Sequence, residues 1–426
     1  MKNKKSNANT HQLIVSFLIM VVALIAMVPE TLAQANSDGI DSKSAIAVDA
    51  KSGQIIYQKN ATKNLPAASM SKLLTAYIVQ KRVHDHQLKW NDQVTISPEV
   101  AKLSTKKGFT NVKLDAHKKY TVKSLYSSAL IGSANASAMA LGDKVAGNSQ
   151  NFAKTMRSTA KELGIRDAQF YNACGLTNEQ VAPMNLPRVQ GDAENEMSAR
   201  DTAIISQKII AKDPAILKTT RQASYTFSDV SGKQKEVVKT SDEMLKGQRY
   251  YDPALNVDGL KTGTSQKAGE NFAGTLDNHH GHRIITVIMG AKPNQRFVVT
   301  KELMEHVIKN YRPMKYDNDQ FKLRVRNGKQ KEVKVKMTKS ITLWGKIAQP
   351  AQFTNKIKLD PKVSKNNEIT APVLKNQKIG TNQVGLKNQK VEFLNQSGGK
   401  APIVTGQSVD KVNFFVRLYR DVVSFF

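Results

Sequence analysis

The order in which hydrophobic periodicity changes along the chain constrains its fold more than any other feature. Residues 45–49 and 54–58 alternate or run apolar around Lys51-Ser52-Gly53, a pattern typical of a β-hairpin. Residues 69–163 mostly show helical spacing of their apolar side chains. Strand-like runs return from residue 257 on, at 257–265, 271–276 and 283–289, before a helical pattern at 296–311. This order predicts an α+β fold whose sheet collects strands from both ends of the domain.

A second domain is predicted after residue 314, where the pattern changes again. Residues 322–326 and 332–337 alternate with period two, and short apolar segments separated by Gly, Pro and Asn continue to Gly399. Several short strands of this kind favour a small all-β sandwich. We therefore expect a first domain at 36–314, a β-rich domain at 315–402 and a separate C-terminal segment at 403–426.

The C-terminal segment predicts an amphipathic helix. At about 100° per residue, Phe415, Tyr419 and Val422 share one face, whereas Arg417 and Arg420 lie opposite. An aromatic face combined with arginines is typical of a helix that lies in the headgroup layer of an anionic membrane surface without crossing it. The alternative is a helix that docks on its own domain.

Residues 1–35 have the pattern of an export signal. Three lysines precede an apolar stretch from Leu13 to Val28, and Ala33-Gln34-Ala35 offers a small-residue cleavage site. An uncleaved N-terminal anchor is the alternative, although the apolar stretch is shorter than the ~20 residues that span a bilayer comfortably. Export predicts a location at the outer face of the cytoplasmic membrane or in the cell wall.

Charge and cysteine content bear on partners and stability. The chain has 64 lysine and arginine residues against 35 acidic residues, a formal net charge of +29. For an exported chain this favours wall polymers rich in phosphate and anionic headgroups over nucleic acid.

Cys174 is the single cysteine, so no disulfide can form within the chain. We interpret Cys174 as structural, because it lies in a predicted tight loop without a nearby activating histidine.

A serine acts as a nucleophile only with a base within hydrogen-bonding distance. Ser69 and Lys72 are three residues apart, so on a helix their side chains share one face. The same spacing recurs elsewhere, as at Ser104 with Lys107 and at Ser158 with Lys161. Only Ser69 begins an apolar helix, in which burial disfavours the charged form of Lys72 and helps it act as a base.

Two further motifs complement this pair. Ser133-Ala134-Asn135 falls in a break between helical stretches, so its polar side chains can project into a cleft. Ser149-Gln150-Asn151 has the same pattern but precedes a helix, and we interpret it as a cap. Lys261-Thr262-Gly263 lies on a predicted strand, where a cation beside a hydroxyl suits a carboxylate and Gly263 lets a substrate backbone approach closely.

The three motifs and their flanking residues resemble the serine D-alanyl-D-alanine carboxypeptidases among the low-molecular-mass penicillin-binding proteins. The segments that carry this resemblance are Pro66–Lys72, Ile131–Asn135 and Val257–Gly263. Phe170–Leu176 and Ser198–Asp201 resemble surrounding segments of that family. The resemblance spans the mature chain. It implies a penicillin-binding, β-lactamase-like transpeptidase fold with an antiparallel sheet and helices at 36–314, then the β-rich domain and an amphipathic anchor.

The resemblance also implies roles for the site residues. Ser69 is the nucleophile, Lys72 its base, and Ser133 the relay that passes a proton to the leaving D-alanine. The substrate-binding residues are Asn135, Lys261, Thr262, Gly263 and Thr264. The main-chain N–H groups of Ser69 and Thr264 form the oxyanion hole. The substrate is a peptidoglycan stem peptide, β-lactam antibiotics are covalent inhibitors, and we expect no cofactor and no metal.

Two positions depart from the family pattern, and other functions share parts of it. Family members often carry histidine where this chain has Cys174 and Thr264, which bears on deacylation and leaves the nucleophile and base in place. A β-lactamase of similar layout needs a glutamate-positioned water, commonly in Glu-x-x-Leu-Asn, and the chain has no such segment. A D,D-endopeptidase or transpeptidase of the same fold is a further alternative. In another class, a non-catalytic protein would hold anionic wall polymer through its basic surface.

Overall fold

The computed structural model of the protein describes residues 39–277, 281–317 and 321–423. The chain divides after Ile40, and the unit that begins at Asp41 holds all of the described helices and strands. The predicted export signal at 1–35 and the last three residues of the predicted amphipathic helix lie outside the described residues.

The first domain combines strands from both of its ends with a central group of helices. Its strands are β1 (Ser44–Asp49), β2 (Gln54–Lys59), β3 (Leu65–Pro66), β4 (Gln93–Thr95), β5 (Lys119–Thr121), β6 (Glu196–Met197), β7 (Ser224–Ser228), β8 (Lys235–Lys239), β9 (Val257–Ser265), β10 (Gly269–Asp277) and β11 (Arg283–Ala291). Its helices are α1 (Lys72–His84), α2 (Pro98–Ser104), α3 (Val122–Ile131), α4 (Asn135–Ala146), α5 (Ser149–Glu162), α6 (Ala199–Lys212), α7 (Ile216–Thr220) and α8 (Arg296–Asn310).

Five of these strands form one antiparallel sheet in the order β2-β1-β11-β10-β9. β1 and β2 come from the start of the domain and β9 to β11 from its end, so the predicted α+β arrangement is confirmed. Helix α6 contacts β1 and β11, and α8 contacts β10 and β11. Ala45 to Val48 of β1 are all buried, because this central strand is covered by neighbours and helices.

The helical region differs from the prediction at its first element. A 3-10 turn at Ala68–Ser71 precedes α1, which begins at Lys72 and not at Ser69. The predicted break near Ser133 is present between α3 and α4. Ser133 itself has φ 61°, a left-handed conformation that a continuous right-handed helix does not contain.

The second domain is all β apart from its C-terminal helix, as predicted. Its strands are β12 (Tyr311–Tyr316), β13 (Phe321–Arg326), β14 (Glu332–Met337), β15 (Ile341–Lys346), β16 (Phe353–Leu359), β17 (Ser364–Lys365), β18 (Glu368–Thr370), β19 (Lys378–Leu386), β20 (Glu392–Phe393) and β21 (Lys400–Thr405), followed by α9 (Phe414–Val423). Seven strands form one sheet in the order β16-β19-β21-β14-β13-β18-β17. The separate β12-β15 pair adds Tyr316 and Leu343 to the same core.

Element boundaries differ from those predicted at both ends of this domain. β12 begins at Tyr311, directly after α8, and pairs with β15. β21 runs to Thr405 between β19 and β14, because Ile403 belongs to the buried core of the sheet. The C-terminal helix therefore starts at Phe414 and not at 403. No helix in the described ranges is both long and apolar enough to cross a bilayer.

The two domains share hydrogen bonds as well as the chain connection. Trp344 of β15 is buried, and its Nε1 donates to Asp49 Oδ2 at 3.0 Å. Gln54 Nε2 donates to the Trp344 carbonyl at 2.8 Å, and Gln54 Oε1 accepts from the Trp344 main-chain N–H at 2.7 Å. β20 also pairs with β2 at the edge of the first-domain sheet. These contacts fix the second domain against the strands of the first.

Candidate active site

Ser69 lies on the 3-10 turn between β3 and α1. Ser71 Oγ donates to the Ala68 carbonyl at 2.7 Å, and the Ala67 N–H donates to the Asn195 carbonyl at 2.8 Å. Met70 and Ser71 are fully buried, whereas Ser69 is partly exposed and lines a cavity. The turn therefore presents one hydroxyl to a space that a substrate can reach.

Lys72 contacts this hydroxyl from the buried side. Its Nζ lies 2.7 Å from Ser69 Oγ, 2.8 Å from Asn135 Oδ1 and 2.8 Å from the Cys174 carbonyl oxygen. The side chain is 1% exposed, and this burial lowers the pKa of Lys72 from 10.5 to about 8. A substantial fraction of the amine is thus neutral close to physiological pH.

The surrounding acceptors fix the direction of the neutral amine. Asn135 Nδ2 donates to the Thr110 carbonyl at 3.0 Å, so the amide oxygen must be the atom that faces Lys72. This oxygen and the Cys174 carbonyl can only accept hydrogen bonds. They occupy the two N–H groups of a neutral Lys72, which leaves its lone pair directed at the Ser69 hydroxyl.

The loop at 172–176 serves the site through its main chain. Cys174 is fully buried, its thiol donates to Asn172 Oδ1 at 3.2 Å, and burial raises the pKa of that thiol. Gly175 has φ +85°, and a Cβ there would lie 1.9 Å from the Ala68 carbonyl oxygen. The structure agrees with a structural Cys174, and it adds a contact that a search for reactive side chains misses, the Cys174 carbonyl bound to Lys72.

All three motifs line one cavity of about 250 Å³, to which the first contributes Ser69. Ser133 lies at the break between α3 and α4 and lines this cavity together with Thr262, Gly263 and Thr264 of β9. Asn135 is the first residue of α4 and joins the site through Lys72. The Thr262 hydroxyl is 2.7 Å from the Ser241 hydroxyl.

Lys261 is buried on β9 next to Thr262 and is not among the residues that line this cavity. Its Nζ donates to the Thr262 carbonyl at 3.0 Å. Burial lowers its pKa well below 10.5, and the positive charges of Lys72 and Arg296 lower it further. Asp242 opposes this shift and is itself buried, with a pKa raised to about 7. The two motif lysines therefore lie close enough for their charges to interact.

Gly263 has a packing role in addition to the one predicted. A Cβ at this position would lie 2.8 Å from the Ala67 carbonyl oxygen and 3.0 Å from the Met70 nitrogen. Both atoms belong to the turn that carries Ser69 or its flank. The glycine thus lets β9 pack against the nucleophile turn. Gly263 also lines the cavity, and its role in admitting a substrate backbone stays a prediction.

Arg296 is a functional candidate that the sequence did not reveal. It is the first residue of α8, and its Nη2 donates to Thr264 Oγ1 at 2.6 Å and lies 3.0 Å from Glu270 Oε1. Its Nη1 donates to the Gly263 carbonyl at 3.1 Å. Arg296 lines the cavity beside Gly263 and Thr264, where a guanidinium can bind a carboxylate. No motif marks it, because only the fold brings α8 to β9.

The other serine motifs do not form such a constellation. Ser104 Oγ donates to the Ala101 carbonyl at 2.6 Å, and Ser158 Oγ donates to the Thr155 carbonyl at 3.0 Å on an exposed surface. At the start of α5 the cap is Asn148, whose Oδ1 accepts from the Asn151 N–H at 2.8 Å, and not Ser149 as predicted. Among the described residues, no group of three or more His, Cys, Asp or Glu side chains is arranged to hold a metal ion.

Comparison with known proteins covers both domains. The family profile described as D-alanyl-D-alanine carboxypeptidase matches residues 30–293. The profile described as penicillin-binding protein 5, C-terminal domain, matches residues 309–411. D-alanyl-D-alanine carboxypeptidase DacF of Bacillus subtilis is 26% identical over 417 residues, which cover 96% of this chain and 97% of that relative.

Solved structures give the same result. Penicillin-binding protein 3 of Streptococcus pneumoniae, described as a peptidoglycan synthesis regulatory factor, superimposes with a TM-score of 0.72 at 30% identity and covers 87% of this chain and 100% of that chain. Penicillin-binding protein D2 of Listeria monocytogenes, in a cefotaxime-bound form, has a TM-score of 0.51 at 28% identity and covers 62% of this chain and 96% of that chain.

Proposed function

The chain belongs to the D-alanyl-D-alanine carboxypeptidase family and is a serine-type hydrolase, and we propose that Ser69, Lys72 and Ser133 carry out its reaction. The enzyme removes the terminal D-alanine from peptidoglycan stem peptides. The observation that carries the residue assignment is the 2.7 Å contact between Lys72 Nζ and Ser69 Oγ, with both amine hydrogens directed elsewhere. Under this proposal residues 36–314 hold the chemistry.

Acylation begins when the Ser69 hydroxyl attacks the carbonyl between the two terminal D-alanines. Neutral Lys72 accepts the hydroxyl proton as the new O–C bond forms. The carbonyl oxygen becomes an oxyanion, and the main-chain N–H groups of Ser69 and Thr264 bind it. Each such donor contributes about 3 kcal/mol of transition-state stabilisation in comparable hydrolases.

Departure of D-alanine requires a proton on its nitrogen as the C–N bond breaks. Ser133 lines the same cavity as Ser69, so its hydroxyl can pass the proton from Lys72 to the leaving amine. Asn135 holds Lys72 in place through its amide oxygen. Water then attacks the Ser69 ester, releases the shortened peptide and returns the proton to the enzyme.

The substrate carboxylate binds at the far wall of the cavity. Thr262 and Thr264 supply hydroxyl groups, and Lys261, the neighbour of Thr262 on β9, adds positive charge when the substrate carboxylate favours its protonated form. Arg296 adds a guanidinium that holds Thr264 Oγ1. The same groups receive the carboxylate of a β-lactam, whose ring amide Ser69 opens to give a stable ester.

Replacement of Ser69 tests the assignment. Ser69→Ala should lower D-alanine release from a defined pentapeptide by about 10⁴-fold or more, because the nucleophile is removed. Ser158→Ala is the matched control, since Ser158 has the same spacing to a lysine but is exposed and donates to the Thr155 carbonyl. It should retain full activity.

The products decide between related activities. Release of free D-alanine from uncrosslinked pentapeptide supports the proposal. Undiminished release by Ser69→Ala contradicts the residue assignment, and cleavage restricted to crosslinked dimers contradicts the carboxypeptidase reaction in favour of an endopeptidase.

Helix α9 supports attachment to an anionic membrane surface at the outer face of the cytoplasmic membrane. Phe415 is 77% exposed and Tyr419 70% exposed, whereas Arg417 and Arg420 are half-buried. Arg420 Nη1 donates to the Gly328 carbonyl at 2.9 Å. The helix thus contacts its own domain through arginines and leaves its aromatic residues outward, the opposite of a helix docked by its apolar face.

Vesicle co-sedimentation tests this attachment with the full chain. Phe415→Gln/Tyr419→Gln should reduce binding to vesicles containing phosphatidylglycerol, because both replaced rings are the inserting groups. Val230→Gln/Val237→Gln removes two exposed apolar side chains elsewhere and should leave binding unchanged. Equal binding by both double variants and the unaltered chain contradicts the attachment.

A further inference from the structure

The second domain carries a surface of unusual charge on neighbouring strands β13 and β14. Val325, Val333 and Val335 of these strands are buried in the domain core, so the alternate residues face outward. These outward residues include exposed lysines and arginines at Lys322, Arg324, Lys334 and Lys336. Lys322 is directly opposite Lys334 in the strand register, and Arg324 is opposite Glu332.

The register continues this surface across β21, β19 and β16. Lys336 is opposite Val404 of β21, which is in turn opposite Lys378 of β19. Gln383 of β19 lies between Lys400 of β21 and Lys356 of β16. Paired residues in a sheet point to the same face. The exposed cations on this part of the face are Lys356, Lys358, Lys378 and Lys400.

We define the cationic face as the eight exposed lysine and arginine residues named above on these five strands; Arg326 of β13 is partly buried and is not included. Glu332 is the one acidic residue on the same side of the five strands, and it lies 3.9 Å from Lys322 across an exposed surface. The remaining seven cations form no ion pair with any of the described residues. Like charges placed opposite each other in a sheet are unfavourable unless an anion binds them.

A groove of about 1070 Å³ between the two domains borders this face at Lys356. Its charged lining is balanced: Arg166, Arg200 and Lys356 against Asp167, Asp201 and Glu392. The positive potential is therefore a property of the cationic face and not of the groove.

We propose that the cationic face binds a linear, phosphate-rich polymer. Cations two residues apart on one strand are separated by about 7 Å. Across the strands the spacing is about 5 Å between Lys322 and Lys334, and about 10 Å where Val404 or Gln383 lies between two lysines. Such spacings suit a flexible chain with a phosphate in each repeat. Neighbouring strands rotate by roughly 20 to 25°, so five strands turn through about 80 to 100°. A flexible polymer can follow such a twisted surface, whereas a flat bilayer contacts only part of it. The polymer holds the enzyme near its wall substrate, a role beyond the carboxypeptidase reaction.

The test compares two variants of equal charge change in the full chain. The face variant is Lys334→Gln/Lys336→Gln/Lys356→Gln. The control variant is Lys144→Gln/Lys154→Gln/Lys208→Gln, three exposed lysines on helices of the first domain. Both variants should acylate with penicillin at the rate of the unaltered enzyme, since none of the six lysines lines the cavity beside Ser69.

The binding probe is a synthetic poly(glycerol phosphate) oligomer, titrated from 50 to 300 mM NaCl. Loss of three phosphate contacts should weaken binding by about tenfold or more at low salt and reduce the slope of log Kd against log salt by about 2 to 3 in the face variant. The control variant should change by less than about threefold.

Three results would overturn the proposal. The first is equal weakening in the face and control variants, which indicates net charge alone. The second is no oligomer binding by the unaltered chain. The third is a parallel loss of binding to phosphatidylglycerol vesicles by the face variant, which assigns the face to the membrane. Retained vesicle binding together with lost oligomer binding supports the polymer.

Discussion

At the residue scale, the state of Lys72 sets the pH at which the enzyme acylates. Burial lowers its pKa to about 8, and only the neutral amine can accept the proton of Ser69. The neutral fraction grows as pH rises, so the acylation rate constant should increase from pH 6 and level off above about pH 9. We expect a midpoint near 8 when acylation by a β-lactam is followed by stopped flow. A midpoint near 10, the value for an exposed lysine, would contradict a desolvated base.

Arg296 should determine selectivity for a free carboxylate. Arg296→Gln removes a charged donor from the cavity wall, which should lower kcat/KM for a peptide ending in a carboxylate by about tenfold to 100-fold. For a peptide with an amidated end, kcat/KM should fall much less. A purely structural role of Arg296 would lower kcat/KM equally for both peptides. Arg249→Gln is the comparison, because Arg249 lines the same cavity. A larger change in selectivity for Arg249→Gln would contradict the assignment.

The side chains of the site could be predicted from the sequence, but its main-chain contacts could not. Spacing combined with the apolar pattern of the following residues singled out Ser69 with Lys72, and the structure brings this pair together with Asn135. The Cys174 carbonyl could not be predicted, because every residue has one and only the fold selects which points at the lysine. Arg296 was missed for the same reason.

At the element scale, the contact between β9 and the Ser69 turn depends on Gly263. Gly263→Ala places a Cβ against the Ala67 carbonyl oxygen, and overpacking of this kind costs typically 1 to 3 kcal/mol. A shift of the turn also misplaces Ser69, so acylation should fall by at least about tenfold. Denaturant unfolding and β-lactam acylation measure the two effects.

Gly147→Ala is the matched control for Gly263→Ala. Gly147 has φ +84°, and nothing lies within 4 Å of the position that a Cβ would take, so alanine there is strained by the backbone alone, at about 1 to 2 kcal/mol. It should lower stability while acylation stays unchanged. Equal loss of acylation in the two variants would show that destabilisation, and not the position of Ser69, causes the effect.

Element type was predictable where periodicity was strong, and boundaries were not. Residues 257–265 form the predicted strand with the same limits. Residues 403–405 were assigned to the C-terminal helix, but Ile403 is buried between strands, and only the sheet pairing distinguishes its position from a helical one. The start of α1 moved to Lys72 because the 3-10 turn is shaped by contacts with distant segments.

At the scale of the whole molecule, Gln54 links the two domains. Gln54→Ala leaves the buried Trp344 N–H without its acceptor, which costs about 1 to 3 kcal/mol. The transition for the second domain should shift to lower temperature in calorimetry, while acylation at 25 °C stays unchanged. Gln58→Ala on the same strand removes an exposed bond to Glu392 and should change the transition little. Equal shifts in both variants would contradict the role of Gln54.

The arrangement of the domains could not be derived from the sequence. The basic composition predicted anionic partners, but the sequence pattern does not say which strands are neighbours. Lys336 and Lys378 are 42 positions apart and meet on one face only because β21 lies between their strands. Likewise, the exposure of the aromatic residues on α9 depends on how its arginines contact the domain.

The most direct test of the central claim is to map the residue that penicillin acylates. Intact mass measurement of the full chain, followed by peptide mapping, should show one adduct, carried by the peptide that contains Ser69. An adduct on a peptide containing Ser104, Ser158 or Cys174, or no adduct at all, would contradict the account of Ser69 as a nucleophile activated by Lys72.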